Sequence, residues 1–197
     1  MSLVKNISCS LVSPYFKNLS RIRFVITILL LITNFPAEAM KQPAQEYQLK
    51  AVFLFNFTQF IDWPPSSFDT DQSSVVIGVL GDNPFGSYLD EIVSGESIKG
   101  HPVVVHYYKN VEDVQACHIL FVALTEITNR KKAIETLKGK DILTVSDAVH
   151  FAAEGGMITF FIANNKIKFQ INLESARASK MVFSSKLLRL AEIYKPR

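Results

Sequence analysis

Three side chains of the kind that build hydrolase triads stand close together in the segment LTVSDAVHFAAEGGMITF, residues 143–160: Ser146, Asp147 and His150. Acyl transfer by such a set needs the imidazole within ~3 Å of the serine oxygen, with the acid behind the imidazole. Ser146 and Asp147 are adjacent at a predicted strand end, where successive side chains point apart, and no G-x-S-x-G elbow surrounds Ser146. The other role open to them is local. Ser146 or Asp147 caps the helical turn AVHFAAE, whose first amides need acceptors. A polar contact to a ligand is the remaining option, because loops after parallel strands border the crevice where such sheets bind molecules. The segment therefore predicts a capped turn rather than a catalytic centre.

Two glycine-bearing stretches could in principle cradle an anion. A phosphate loop leads from glycines into a helix N-terminus, whereas Gly155-Gly156 follows a helical turn and leads into a strand. GDNPFG, residues 81–86, has the better placement, joining a strand to a helix start. Asp82 would oppose an anion there, so a plain turn is expected. Metal chemistry finds little to build on. His101, His106, His118 and His150 form no spaced helical pair, and Cys117 and His118, adjacent on a predicted strand, point to opposite faces. No cofactor is implied.

The elements that position these residues alternate. AQEYQLKAVFLFNFTQFIDWPP has no glycine and no period-two alternation before Pro64-Pro65, which predicts a helix from about Gln45 to Asp62. SVVIGVL (74–80), HPVVVHYY (101–108), CHILFVAL (117–124) and DILTVS (141–146) are short apolar runs suited to strands buried on both faces. Between them, PFGSYLDEIV reads as a helix with Pro84 in its first turn, and TEITNRKKAIETLKG as one with Thr125 as N-cap and Gly139 past its end. GMITFFIANNKIKFQIN is a hairpin turning at Asn164-Asn165, and two helical pieces close the chain. The expected fold is α/β: a three-layer domain with a mostly parallel sheet flanked by helices and a C-terminal antiparallel β-hairpin.

The first forty residues differ from the rest. Lys5, Lys17, Arg21 and Arg23 precede the apolar run FVITILLLITNF, and Ala37 and Ala39 occupy small-residue positions of a cleavage site. Twelve apolar residues are short of the ~20 that span a bilayer. The expectation is a signal peptide over 1–39, cleaved after Ala39, followed by one exported domain over 40–197; an uncleaved anchor is the other reading. Segment 1–39 carries four basic residues and one acid, so the remainder holds 17 of each and is formally neutral. The basic pI of the whole chain then gives no argument for nucleic-acid binding. Once Cys9 is removed, Cys117 is the only thiol, either buried or paired between molecules, with burial favoured by its apolar neighbours.

In order and spacing, the segments KAVFLFNFTQFIDWP, VIGVLGDNPFG, KGHPVVVH, CHILFV, LTVSD with GGMITF, INLESA and SSKLLRLA resemble the YfiR-type (YfiR/HmsC-like) family of small periplasmic proteins, from about Lys50 to Ala191. The resemblance implies a three-layer α/β domain after a signal peptide and no established catalytic activity. Its best understood members bind the periplasmic domain of an inner-membrane diguanylate cyclase and restrain cyclic-di-GMP synthesis and biofilm formation. In some relatives the cysteine of the CHIL segment has a disulfide partner in the first strand, where this chain has Gly78.

One anomaly points to a contact surface. On a helical projection Gln48, Asn56, Thr58, Gln59 and Asp62 make a polar sector, yet Val52 and Phe55 fall inside it. Either the helix is buried nearly all round, or these two residues serve homodimerisation or docking on a partner. The functional expectation is a non-catalytic periplasmic regulator that binds a diguanylate cyclase. The alternative is a small-molecule binding or sensing protein with its crevice near Asp82, Phe85, Ser146 and Asp147. Hydrolysis by Ser146 is the third and least supported reading.

Overall fold

The computed structural model describes residues 43–70 and 72–196. The expected signal peptide, its cleavage point after Ala39 and Cys9 lie outside the described residues. The chain divides after Met40, and the whole described fold belongs to the unit Lys41–Arg197.

In chain order the elements are α1 (Pro43–Phe60), β1 (Ile61–Asp62), β2 (Val75–Gly81), α2 (Tyr88–Val93), β3 (Ser97–Ile98), β4 (His101–Tyr108), β5 (Ile119–Ala123) and α3 (Ile127–Leu137). Then follow β6 (Leu143–Ser146), β7 (Ile158–Ala163), β8 (Lys166–Ile171), α4 (Leu173–Arg177), β9 (Val182–Phe183), α5 (Ser185–Leu190) and β10 (Glu192–Ile193). The eight-stranded sheet runs β10-β8-β7-β6-β5-β2-β4-β3. Its centre, β4 to β7, is parallel, with β8 antiparallel to β7 at one side and β3 antiparallel to β4 at the other. The α/β expectation holds, and so does the hairpin: Asn164 and Asn165 both adopt positive φ, 51° and 56°, as a two-residue primed turn demands.

The strand order reverses between β2 and β5. From β2 the chain crosses outward to β4, then returns to β5 on the other side. This reversal opens a crevice at the carboxyl ends of the two strands. The apolar runs lack alternation because both faces are covered. Ile77, Val79, Phe121, Val145 and Phe160 pack with Ala51, Leu54 and Phe57 of α1. On the opposite face Leu80, Leu120 and Val122 meet Ala133 and Leu137 of α3, and Phe151. Each such large side chain removed from water contributes about 1.5–3 kcal/mol.

Several local expectations are corrected. The first helix stops at Phe60, because Ile61 and Asp62 turn extended and pair with Phe183 and Val182 in a small antiparallel sheet. Thr58, expected on the wet face, is 1% exposed and its hydroxyl donates to the Phe55 carbonyl at 2.5 Å. Helix α2 begins only at Tyr88. Pro84 lies instead in a loop held by Asn83, which accepts from the Phe85 amide and donates to the Gly86 carbonyl. Glu126, not Thr125, occupies the N-cap of α3 and makes no side-chain cap bond. AVHFAAE is a string of turns rather than a helix. His150 (φ 69°) and Gly155 (φ 104°) break the helical path, and Phe151 packs so closely on Gly156 that a Cβ there would lie 2.2 Å from its ring. Among the described residues, no helix is long and apolar enough to cross a membrane.

Candidate functional site

Helix α1 carries one basic residue among its apolar and aromatic ones, Lys50, and that residue is buried, 3% exposed. An ammonium is stable in such a place only when paired. Its Nζ lies 2.5 Å from Glu46 Oε1, one turn earlier, and 2.5 Å from Asp147 Oδ2, at the end of β6. The ammonium also stands 4.3 Å from the centre of the Tyr47 ring, and the Tyr47 hydroxyl donates to Asp147 Oδ2 at 2.8 Å. Burial, then the neighbouring Asp147 carboxylate, push the Tyr47 phenol above its ordinary value. Asp147 thus anchors the start of α1 to the carboxyl end of the parallel sheet.

Ser146 is fully buried. Its hydroxyl donates to the Val122 carbonyl at 2.7 Å and accepts from the Ala148 amide at 3.2 Å. The capping role expected of it is therefore played for a turn instead of a helix, while Asp147 serves Lys50 and Tyr47. Among the described residues no hydrogen bond joins Ser146, Asp147 and His150, and His150 is exposed. Ser146 is consequently a joint between β5, β6 and the turn. Beside it, Arg130 and Glu154 form a buried two-point pair (Nε–Oε2 3.0 Å, Nη2–Oε1 2.8 Å). Arg130 Nη1 also donates to the carbonyls of Leu124 and Thr125, at 3.1 and 2.6 Å. The Glu154 carboxylate holds the guanidinium above its ordinary value.

Two clefts adjoin at this end of the sheet, and Asp147 lines both. One, of about 550 Å³, is bordered by Asp82, Ser146, Asp147, Tyr47 and Arg130, so three of the four expected crevice residues meet there. Phe85 lies behind it, 5% exposed, its ring edge-on to Tyr47 at 5.7 Å and to Phe121 at 4.9 Å. The other, of about 480 Å³, opens between the start of α1, the turn at Val149–Ala153 and the sheet at Thr159 and Gln170.

Val52 and Phe55 divide. Phe55 is half-buried against the main core. Val52 joins Gln48, Leu49, Tyr88 and Ile167 around a shallow groove on the outer side of α1. Leu49 there is 41% exposed.

The opposite end of the sheet holds the histidine and thiol chemistry. His118, 2% exposed, accepts from the Val76 amide at Nδ1 (3.1 Å) and packs against Phe68 and Trp63. Burial, then the neighbouring His101, lower its pKa to about 4. Cys117 is buried on the other face, and burial raises its thiol to about 12. A Cβ at Gly78 would stand 2.8 Å from its sulfur, so Gly78 and Cys117 are direct neighbours in the fold. Among the described residues no group of three histidine, cysteine or carboxylate side chains is arranged to hold a metal ion.

Sequence reasoning missed Lys50, Glu46, Tyr47 and the Arg130–Glu154 pair. A signal for the first was available: a lone lysine four residues after a lone glutamate, in a helix otherwise uncharged over its whole length.

A family model described as YfiR/HmsC-like matches residues 47–192. No curated protein matches the chain. The chain belongs to the YfiR/HmsC-like family.

Proposed function

From that membership we propose that the protein is a non-catalytic periplasmic regulator, exported by a signal peptide cleaved after Ala39. It binds the periplasmic domain of an inner-membrane diguanylate cyclase and so lowers cyclic-di-GMP and biofilm formation. Two things support this reading: the family, and the apolar groove on the outer side of α1 around Leu49, Val52, Tyr88 and Ile167. The groove carries it. Leu49 is exposed and Val52 half-buried on this face of the helix, and apolar positions of that kind are what a protein partner desolvates. The side chains at the site also fit regulation better than catalysis. Ser146 is bonded to backbone, Lys50 pairs with Asp147, and Arg130 pairs with Glu154.

Deleting the gene tests the reading: cyclic-di-GMP and biofilm rise, and the protein co-purifies with a membrane protein carrying a GGDEF domain. Unchanged cyclic-di-GMP on deletion contradicts it. A second reading, binding of a small molecule, is favoured by the two adjoining clefts at Asp147. It predicts a concentration-dependent rise in melting temperature with a ligand.

A further inference from the structure

The cleft of about 480 Å³ beside Lys50 has the size of a small-molecule site, and its charge arrangement selects among ligands. Counting histidine as neutral, the ionised groups that line it are Glu46, Asp147 and Lys50, two carboxylates against one ammonium. The ammonium is not available to a ligand. It is 3% exposed, bracketed by the two carboxylates at 2.5 Å each and stacked over Tyr47. The carboxylates are 24% and 25% exposed. Glu46 Oε1 and Asp147 Oδ2 face the ammonium, and among the described residues no hydrogen bond or ion pair uses Glu46 Oε2 or Asp147 Oδ1. An approaching anion meets negative oxygens first, whereas an approaching ammonium finds acceptors already oriented.

A second, independent feature marks the same cleft as a binding place. Thr159 lines it, is 3% exposed, and its hydroxyl has no partner in the protein. Buried hydroxyls are almost always matched, and Thr159 stands directly across the strand pair from Gln170, another lining residue. Beside His150 and Tyr194, the rest of the wall is apolar and includes Phe161, Ile162 and Val149, the last two 57% and 74% exposed. An apolar wall open to water next to paired carboxylates matches a molecule with a hydrocarbon body and a cationic head.

We propose that this cleft binds a small amphipathic amine, its ammonium held by Glu46 and Asp147 and its apolar body laid along Val149, Phe161 and Ile162. The amine's charge balances the net negative charge left by the Lys50 pairings, and desolvation of the apolar body adds the non-directional part of the affinity. This inference does not depend on the regulator reading, since it concerns the purified protein without a partner.

The test uses two probes with the same phenylethyl body and opposite charge, 2-phenylethylamine and 3-phenylpropanoate, in titration calorimetry and thermal melts of the purified protein. The amine raises the melting temperature with concentration and the acid does not. Glu46→Gln weakens amine binding about tenfold. Val149→Ser, at an exposed rim position, removes part of the apolar wall and weakens amine binding too. No response to the amine, an equal response to both probes, or tighter binding of the acid overturns the proposal, as does an affinity unchanged in both variants. None of these outcomes bears on cyclic-di-GMP in the deletion strain, so the two readings fail separately.

Discussion

The two ends of the parallel sheet solve the problem of buried polar groups in opposite ways. At the carboxyl ends of the strands, charge is kept and matched: Lys50 with Glu46 and Asp147, Arg130 with Glu154. At the amino ends, charge is suppressed: His118 sits among Trp63 and Phe68 with a pKa lowered to about 4, and the Cys117 thiol is raised to about 12. Ionised side chains in a protein interior survive only with partners of good geometry, and neutral ones survive by packing. Two clefts open at the end with paired charges, one of them where backbone reversal between β2 and β5 leaves room for a ligand. A third, of about 510 Å³, lies toward the amino ends beside Leu137, Gly139, Thr144 and Asn172. The aromatic end has a structural role.

The largest effect expected at the charged end comes from breaking its most buried pair. Glu154→Ala leaves the Arg130 guanidinium unmatched beneath α3 and lowers stability by about 3–5 kcal/mol, read by urea unfolding. A change under 1 kcal/mol would mean that the charged end is not held by its pairs, and the contrast between the ends would collapse.

The aromatic end responds to acid instead. The folded pKa of His118 lies below its ordinary value of 6.5, so the unfolded chain takes up the proton first. The stability this residue contributes is complete above pH 6.5 and is lost as pH falls toward 4. Protonation also removes the Nδ1 lone pair that accepts from the Val76 amide. Unfolding curves between pH 7 and pH 4 should show this decline, and His118→Phe, which keeps a ring and cannot titrate, should flatten it. An identical decline in the variant would assign the acid sensitivity elsewhere.

Ser146→Ala gives a smaller loss, roughly 1–3 kcal/mol, because the Ala148 amide loses an acceptor in a buried turn and the Val122 carbonyl loses a donor. No esterase activity should accompany the wild-type serine or disappear with it. Val52→Asp has the smallest effect on folding, about 1 kcal/mol, since Val52 is half-buried in an open groove.

Much of the architecture was readable from composition and spacing. The valine-rich runs gave the central strands, and HPVVVHYY matches β4 residue for residue. Asn164-Asn165 gave the hairpin, because few residue pairs accept two successive positive φ angles. The errors occurred where a distant partner overrides a local preference. Ile61 and Asp62 leave the helix because β9, about 120 residues later, pairs with them. Thr125 fails to cap α3, and its carbonyl instead receives the Arg130 guanidinium. The site was half visible. Asp82, Ser146 and Asp147 line one crevice, at the strand ends to which the rule for parallel sheets points. Their roles were not visible, since Asp147 is defined by Tyr47 and Lys50, some hundred residues away in sequence. Phe85 looked like a crevice residue because its loop follows a strand, but an apolar ring beside Phe121 is better buried than displayed.

The proposed docking of the outer face of α1 on a diguanylate cyclase meets its most direct test in a strain lacking the gene. Cyclic-di-GMP is measured after complementation with the wild-type protein or with Val52→Asp, both confirmed folded and present at equal levels. Wild type is expected to restore low cyclic-di-GMP, and Val52→Asp to leave it as high as in the deletion strain. Full restoration by Val52→Asp would contradict it.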